Sequence, residues 1–182
     1  MSVDELPQKW EHTPTMNHII NCLVENKPGV LARIVGLISG RGYNIETLNV
    51  APTADPTVSK MTIVVPGDAR VIEQVTRQLA KQVDVIEVVN MTKRSHIERE
   101  LILVQLKTCR RSNHNAIIKF VSQFNAQVID IQRCSVVVEM VGDQEEVFTF
   151  LDSLKECRIE IGSLSRTGVI AVECKDETPG KG

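Results

Sequence analysis

The two halves of this 182-residue chain follow one pattern, and this internal repeat restricts the fold more than any other feature of the sequence. Four pairs of residues place the halves in register: Gly67 with Gly142, Leu79 with Leu154, Ile34 with Ile117, and Ile45 with Val128. The first two pairs are 75 residues apart (142 − 67), and the last two are 83 apart (117 − 34). The first half therefore holds eight extra residues (83 − 75), which we assign to the polar segment 51–59.

Each half alternates between strand-like and helix-like patterns. In the first half, apolar runs predict strands at 19–24, 45–50, 61–65 and 83–89, with helices at 31–40 and after the N-cap Asp68. In the second half, the same reasoning predicts strands at 97–107, 128–131, 136–141, 158–161 and 168–172, with two helices between them. The order βαββαβ, used twice, predicts an α+β chain of two consecutive ferredoxin-like units. We expect domains at 17–92 and 93–174, with tails at 1–16 and 175–182.

The composition indicates which residue types form the core, which classes of partner are not expected and which cellular compartment the protein occupies. Apolar residues make up 42% of the chain and aromatic residues only 3%, so we expect a core of Val, Ile and Leu. The net charge of −2 gives no reason to expect nucleic acid or an anionic membrane as a partner. None of the five cysteines has the spacing of a metal or redox motif, and we expect Cys22 and Cys134 to pack as small hydrophobes. Since no segment resembles a signal peptide or a membrane span, we expect a cytoplasmic protein.

No pattern in the sequence predicts catalysis. The four histidines lie far apart, and none has metal-ligand spacing to another histidine or to a cysteine. No Walker loop, nucleophile elbow or dinucleotide-binding glycine motif is present. Asp68 and Asp143 occupy equivalent helix starts, which favours capping over acid–base chemistry. We therefore expect neither catalytic residues nor a metal site.

The turn at residues 26–31 is the best candidate for a binding site. Pro28 suits the start of a helix, and Gly29 lets another group approach the backbone closely. The first turn of a helix presents free N–H groups and the positive end of the helix dipole, which together favour a small carboxylate. An ordinary strand-to-helix turn explains the same residues, and for the turn taken alone this interpretation is favoured, because short motifs have many false positives.

Three motifs together resemble one family. The stretch 26–31 after a strand resembles the opening of an ACT domain, a small-molecule regulatory module. With the segments 41–48 and 55–63, the resemblance narrows to the small, regulatory subunits of acetolactate synthase (acetohydroxyacid synthase) and covers residues 17 to about 173. It implies that the first ferredoxin-like unit is an ACT domain.

The resemblance implies a function without an active site. A chain of this family activates a thiamine-diphosphate catalytic subunit in branched-chain amino acid biosynthesis and confers feedback inhibition, usually by valine. The chain would carry no cofactor, whereas thiamine diphosphate, Mg and FAD are expected on the catalytic partner. ACT domains would pair into a homodimer and bind the amino acid at their interface. The implied effector-binding residues are Asn26, Gly29, Val30, Leu31, Asn44 and Ile45, the last two from the neighbouring subunit.

Two alternatives remain open from the residues alone. A stand-alone amino-acid sensor without an enzyme partner would carry the same ACT motifs. The contact that activates a catalytic subunit would be made either by the segment 51–59 or by the C-terminal half of the chain. The segment 51–59 could also be a neutral insertion, because surface loops tolerate extra residues at little cost.

Overall fold

The structure is a computed structural model that describes residues 17–108 and 111–174. The first half contains β1 (Asn17–Glu25), α1 (Val30–Ser39), β2 (Thr47–Pro52), β3 (Val58–Pro66), α2 (Ala69–Leu79), β4 (Val85–Asn90) and a 3-10 helix (Met91–Lys93). The second contains β5 (His96–Lys107), α3 (Arg111–Val121), β6 (Ala126–Ile131), β7 (Ser135–Gly142), α4 (Gln144–Glu156), β8 (Ile161–Arg166) and β9 (Ile170–Glu173). The predicted tails and Cys109 lie outside the described residues.

Two antiparallel sheets share one topology. The strand order is β2-β3-β1-β4 in the first sheet and β6-β7-β5-β8 in the second. In both, the first strand of the unit lies between the third and the fourth, which is the order of a ferredoxin-like βαββαβ unit. The predicted fold class is therefore confirmed. The domain limits 17–92 and 93–174 stay a prediction.

The first core is aliphatic, as predicted. Alternate residues of β1 (Ile20, Cys22 and Val24) point towards the two helices and are at most 2% exposed. They pack against α1 and α2, because each helix places its buried residues on one face. Cys22 behaves as a small hydrophobe here, and burial raises the pKa of its thiol to about 12.

The second core departs from the aliphatic prediction. Phe120, Phe124 and Phe150 form a cluster whose ring centroids are 5.1 to 6.0 Å apart. The few aromatic residues of the chain are concentrated in this unit. Their low share of the whole chain therefore did not reveal how much they contribute to this core. Cys134, predicted to pack as a hydrophobe, is exposed in the connection between β6 and β7.

The last described strand, β9, lies against the first unit. β9 pairs with residues 96–99 of β5, while residues 100–107 of β5 pair with β7. Val169 and Ala171 are buried on the face of the first sheet that points away from α1 and α2, beside Ile19 and Val64. The Asn21 Nδ2 donates to the Ala171 carbonyl at 2.8 Å, which fixes β9 against this sheet.

Segment 51–59 is a hairpin rather than a long loop. β2 continues to Pro52 and β3 starts at Val58, with Pro52 opposite Ser59. The paired residues Leu48 and Ile63 are 15 positions apart (63 − 48), against 10 for Val128 and Val138 (138 − 128). Five of the eight extra residues thus lie in the hairpin. The prediction that all eight lie there is wrong.

Two predicted strands also begin later in the chain than expected. The predicted strand at 45–50 begins only at Thr47, so Ile45 precedes it. The fourth strand of the second unit is β8, which begins at Ile161, where the predicted strand 158–161 ends. The backbone of Arg158 accounts for this shift, because its positive φ of 53° is incompatible with a strand.

Candidate effector-binding site

The turn between β1 and α1 is a left-handed corner. Gly29 has a φ of 83° and is the residue before the first helical residue, Val30. This conformation favours glycine, since a Cβ would add strain. Pro28, predicted to start the helix, lies two residues before it, in the turn.

Backbone amides are the donors that the corner offers. The Val30 amide donates to the Lys27 carbonyl at 3.3 Å, and the first helical bond runs from the Arg33 amide to the Gly29 carbonyl at 3.0 Å. No side chain caps the helix. Among residues 17–108 and 111–174, no acceptor is hydrogen-bonded to the amide of Gly29 or Leu31. These two amides, together with the helix dipole, suit a small anion.

Ion pairs flank this corner on both sides. Nε and Nη2 of Arg33 donate to Oδ2 of Asp84 at 2.9 and 2.7 Å. Lys27 pairs with Glu25 at 2.8 Å, and the hydrogen bond and attraction to that carboxylate raise the pKa of Lys27. Because both cations are matched by acids, an anion at the corner would be held by backbone donors more than by net positive charge.

Asn26 connects the corner to the tip of the β2–β3 hairpin, which we define as residues 53–58. Its side-chain Nδ2 donates to the Pro56 carbonyl at 2.9 Å, and its backbone amide donates to the Thr57 carbonyl at 2.7 Å. This contact was not predicted from the sequence. Its only signal in the sequence is the run Asp55-Pro56-Thr57, which is typical of an Asx turn.

The hairpin tip is tightly turned. Oδ1 of Asp55 accepts from the hydroxyl of Thr57 at 2.6 Å and from its amide at 2.9 Å, and these bonds lower the pKa of Asp55. The Thr53 amide donates to the Val58 carbonyl at 2.8 Å. The tip therefore has a defined shape, although it is exposed.

The six predicted site residues fall into two groups at opposite ends of α1. Asn26, Gly29, Val30 and Leu31 lie at its start; Asn26, Gly29 and Leu31 are exposed there and Val30 is buried. Asn44 and Ile45 follow its end, where Asn44 is exposed and Ile45 packs partly against the first core. A helix of 10 residues is about 15 Å long, so one chain does not bring the groups together.

The described part of the chain holds neither a metal cluster nor a membrane helix. No three His, Cys, Asp or Glu side chains within it are arranged to hold a metal ion. None of its helices is long and apolar enough to cross a membrane. Asp68 and Asp143 cap α2 and α4 by accepting from first-turn amides, which confirms their predicted structural role.

Both halves of the chain match models of one family. Residues 20–87 match the AHAS small subunit-like ACT domain, and residues 99–175 match the small subunit of acetolactate synthase. The chain belongs to the acetolactate synthase small-subunit family. The predicted family and the predicted regulatory, rather than catalytic, class of subunit are thus confirmed.

Relatives in this small-subunit family resemble the chain over most of their length. The acetolactate synthase small subunit of Haemophilus influenzae is 41% identical over 86% of this chain and 95% of its own length. The isozyme 3 small subunit of Escherichia coli is 38% identical over 89% of this chain and 98% of its own length. A crystal structure of the small subunit from Thermotoga maritima has a TM-score of 0.78 at 29% identity, covering 88% of this chain and 99% of that one.

Proposed function

We propose that this chain activates the catalytic subunit of an acetolactate synthase in the cytoplasm and inhibits that enzyme when valine or another branched-chain amino acid binds. The chain carries no active site and no cofactor of its own in this proposal. Thiamine diphosphate, Mg and FAD belong to the catalytic partner. The observation that carries the proposal is the match of both units to the small-subunit family, together with the open amides at the corner before α1.

The effector would lie between two copies of the chain. Its carboxylate would accept from the amides of Gly29 and Leu31, with Val30 contributing less because its amide already donates to Lys27. Oδ1 of Asn26 would accept from the ammonium group. Such a site matches the charges of a free amino acid at both of its ends.

The second copy would complete this site. β2 is an edge strand of the first sheet, so antiparallel pairing of two β2 strands about a twofold axis is open to the chain. That pairing brings the end of one α1 towards the start of the other. Asn44 and Ile45 of one copy would then close the site that Gly29 opens on the other, and Ile45 would supply an apolar wall for the effector side chain.

Regulation requires that the effector distinguish two states of the assembly. A ligand with equal affinity for both states shifts nothing, however tightly it binds. Typical couplings of about 1–3 kcal/mol would change the affinity of one binding partner several-fold to about a hundred-fold when the other is bound.

A mixing assay tests the proposal. Acetolactate formation by the purified catalytic subunit is measured with and without this chain and during titration with valine, leucine and isoleucine. We expect stimulation by the chain and its reversal by at least one amino acid. A stand-alone sensor would bind the amino acid without stimulating or co-purifying with the enzyme, and that result would reject the proposal.

Two aspartate substitutions in α1 and its N-cap locate the site. Gly29→Asp places a carboxylate against the proposed carboxylate position, so calorimetry should show loss of effector binding. Gly36→Asp makes the same change in charge on the exposed side of the helix, where a Cβ meets no atom within 4 Å, and binding should persist. Unchanged binding to the Gly29 variant would show that the site lies elsewhere.

A further inference from the structure

The two polar atoms of the Asn26 side-chain amide have different partners: Nδ2 contacts the hairpin tip, and Oδ1 would accept from the proposed effector. Its Nδ2 is committed to the Pro56 carbonyl at 2.9 Å. Among the described residues no donor is hydrogen-bonded to Oδ1, so this oxygen remains available to an ammonium group. Since the amide is planar, the bond to Pro56 fixes the direction in which Oδ1 points.

Asn26 contacts the hairpin tip through its backbone as well as through its side chain. Asn26 also donates its backbone amide to Thr57 at 2.7 Å, so the corner holds the hairpin tip at two adjacent carbonyls. A cation that binds Oδ1 polarises the amide and strengthens the hydrogen bond that Nδ2 donates. Binding at the corner would therefore hold the tip more firmly.

The hairpin tip is exposed, so a change in how firmly it is held can affect a neighbouring subunit. It lies at the end of an edge strand and its residues 53–57 are exposed except Thr53, which is half-buried. The tight connection at 132–134, its counterpart in the second unit, is shorter. The tip lies beyond Pro52 and Ser59, the last paired residues of β2 and β3, so pairing of two β2 strands does not use its residues, whereas the outer face of the first sheet is covered by β9.

We infer that Asn26 couples the effector site to the hairpin tip, and that the tip is the surface through which the first unit contacts the catalytic subunit. This inference rests on the proposed function, because it takes the corner as the effector site. Occupation of the corner orders the tip through the Asn26–Pro56 hydrogen bond. By reciprocity, contact of the catalytic subunit with the tip changes the affinity for the effector by the same factor.

Asn26→Asp is the most direct test. The substitution keeps an acceptor oxygen for the ammonium group but removes the donor to Pro56. Hydrogen–deuterium exchange of a peptide covering the tip is measured with and without saturating valine, leucine or isoleucine. In the natural chain we expect exchange to slow about five-fold on binding, as a modest coupling would produce. In Asn26→Asp, measured at an amino-acid concentration that saturates the variant, the tip should no longer respond, whatever the change in affinity.

A control separates the link from the tip's own stability. Thr57→Val removes the hydroxyl that donates to Asp55 but leaves the Pro56 carbonyl and Asn26 in place. The tip of this variant should exchange faster overall and still respond to the effector. An equal response of Asn26→Asp and the natural chain would overturn the inference.

If Asn26→Asp no longer binds the amino acid, a variant with a shortened hairpin tests the coupling without a change at Asn26. Replacing residues 54–57 by Asn-Gly, a pair suited to a two-residue turn, removes the Pro56 carbonyl and leaves every corner residue unchanged. We expect effector affinity to fall about five-fold or more and stimulation of the catalytic subunit to be lost. Unchanged affinity or unchanged stimulation would overturn the inference.

The two proposals fail in different ways. If the natural chain binds none of the three amino acids, the proposed function fails at its effector site. If the chain binds one of them and the tip does not respond, only the coupling through Asn26 is rejected.

Discussion

The two ferredoxin-like units use one topology but stabilise it differently. The first has an aliphatic core, and β9 covers the outer face of its sheet. The second has a cluster of phenylalanines and a buried ion pair, in which Arg166 donates to both carboxylate oxygens of Glu100 at 2.8 and 2.7 Å. Arg166 also lies over the ring of Phe148, 5.3 Å from its centroid.

What the units share explains the fold, and what differs indicates where function lies. Both place an aspartate at the start of their second helix and alternate apolar residues along their first strand. Those features specify secondary structure and its register. The longer hairpin, which Asn26 of the Gly29 corner contacts, is a feature of the first unit and is not needed to complete a βαββαβ frame.

The largest expected effect tests the aromatic core. Phe150 is fully buried, and Phe150→Ala should lower the free energy of unfolding by about 3–5 kcal/mol. Val75 holds the same position in the first unit (150 − 75 equals the offset of the helix starts), and Val75→Ala should cost about 2 kcal/mol. Urea unfolding followed by circular dichroism compares them. Equal costs would contradict the idea that the aromatic cluster carries more of the packing energy.

The next effect concerns the buried ion pair of the second unit. Arg166→Met leaves Glu100, which is 1% exposed, without its cation, and should destabilise the chain by about 3 kcal/mol. The double variant Glu100→Leu with Arg166→Met should recover most of this loss, because an apolar pair of similar volume avoids desolvation. Urea unfolding of the single and double variants measures the recovery. A double variant as unstable as the single one would show that the ion pair itself supplies the stability.

The frame was largely predictable from the sequence because its signals are local. Apolar runs predicted the central strands, and Asp68 and Asp143 predicted the helix starts. The offset between the halves also predicted where five of the eight extra residues lie, but not that they extend a hairpin, because strand length depends on pairing with a partner strand. Sequence patterns carry little information about such pairing.

The site was predictable only in part, because its contacts join distant segments. Gly29 was identified for close approach, while its left-handed backbone emerged from the structure. The pairing of Arg33 with Asp84 and of Asn26 with Pro56 spans 51 and 30 residues, and no periodicity connects these positions. The interface with a second copy of the chain stays a prediction that rests on the resemblance to the family.

A smaller effect contrasts two glycines of the first unit. Gly29→Ala forces a side chain into the left-handed region and brings its Cβ to 3.1 Å from Nη1 of Arg33, so it should cost about 1–2 kcal/mol. Gly36→Ala lies inside α1 with open space around its Cβ, and should gain about 0.5–1 kcal/mol. Urea unfolding of both variants decides the sign at each position. A loss of stability in both variants would indicate that glycine is required at position 36 as well as at position 29.

The smallest expected effect is the pH response of the Asp68 cap at the start of α2. In the folded chain, hydrogen bonds from the amides of Val71 and Arg70 hold the pKa of Asp68 below its ordinary value. The ionised cap therefore contributes stability above about pH 4, and this contribution is lost as the pH falls through the lowered pKa of the folded state. Asp68→Asn still accepts hydrogen bonds but does not titrate. Urea midpoints measured from neutral to acid pH should fall less steeply in this variant than in the natural chain, whereas parallel curves would mean that the charge of the cap contributes nothing and that its hydrogen bonds alone start the helix.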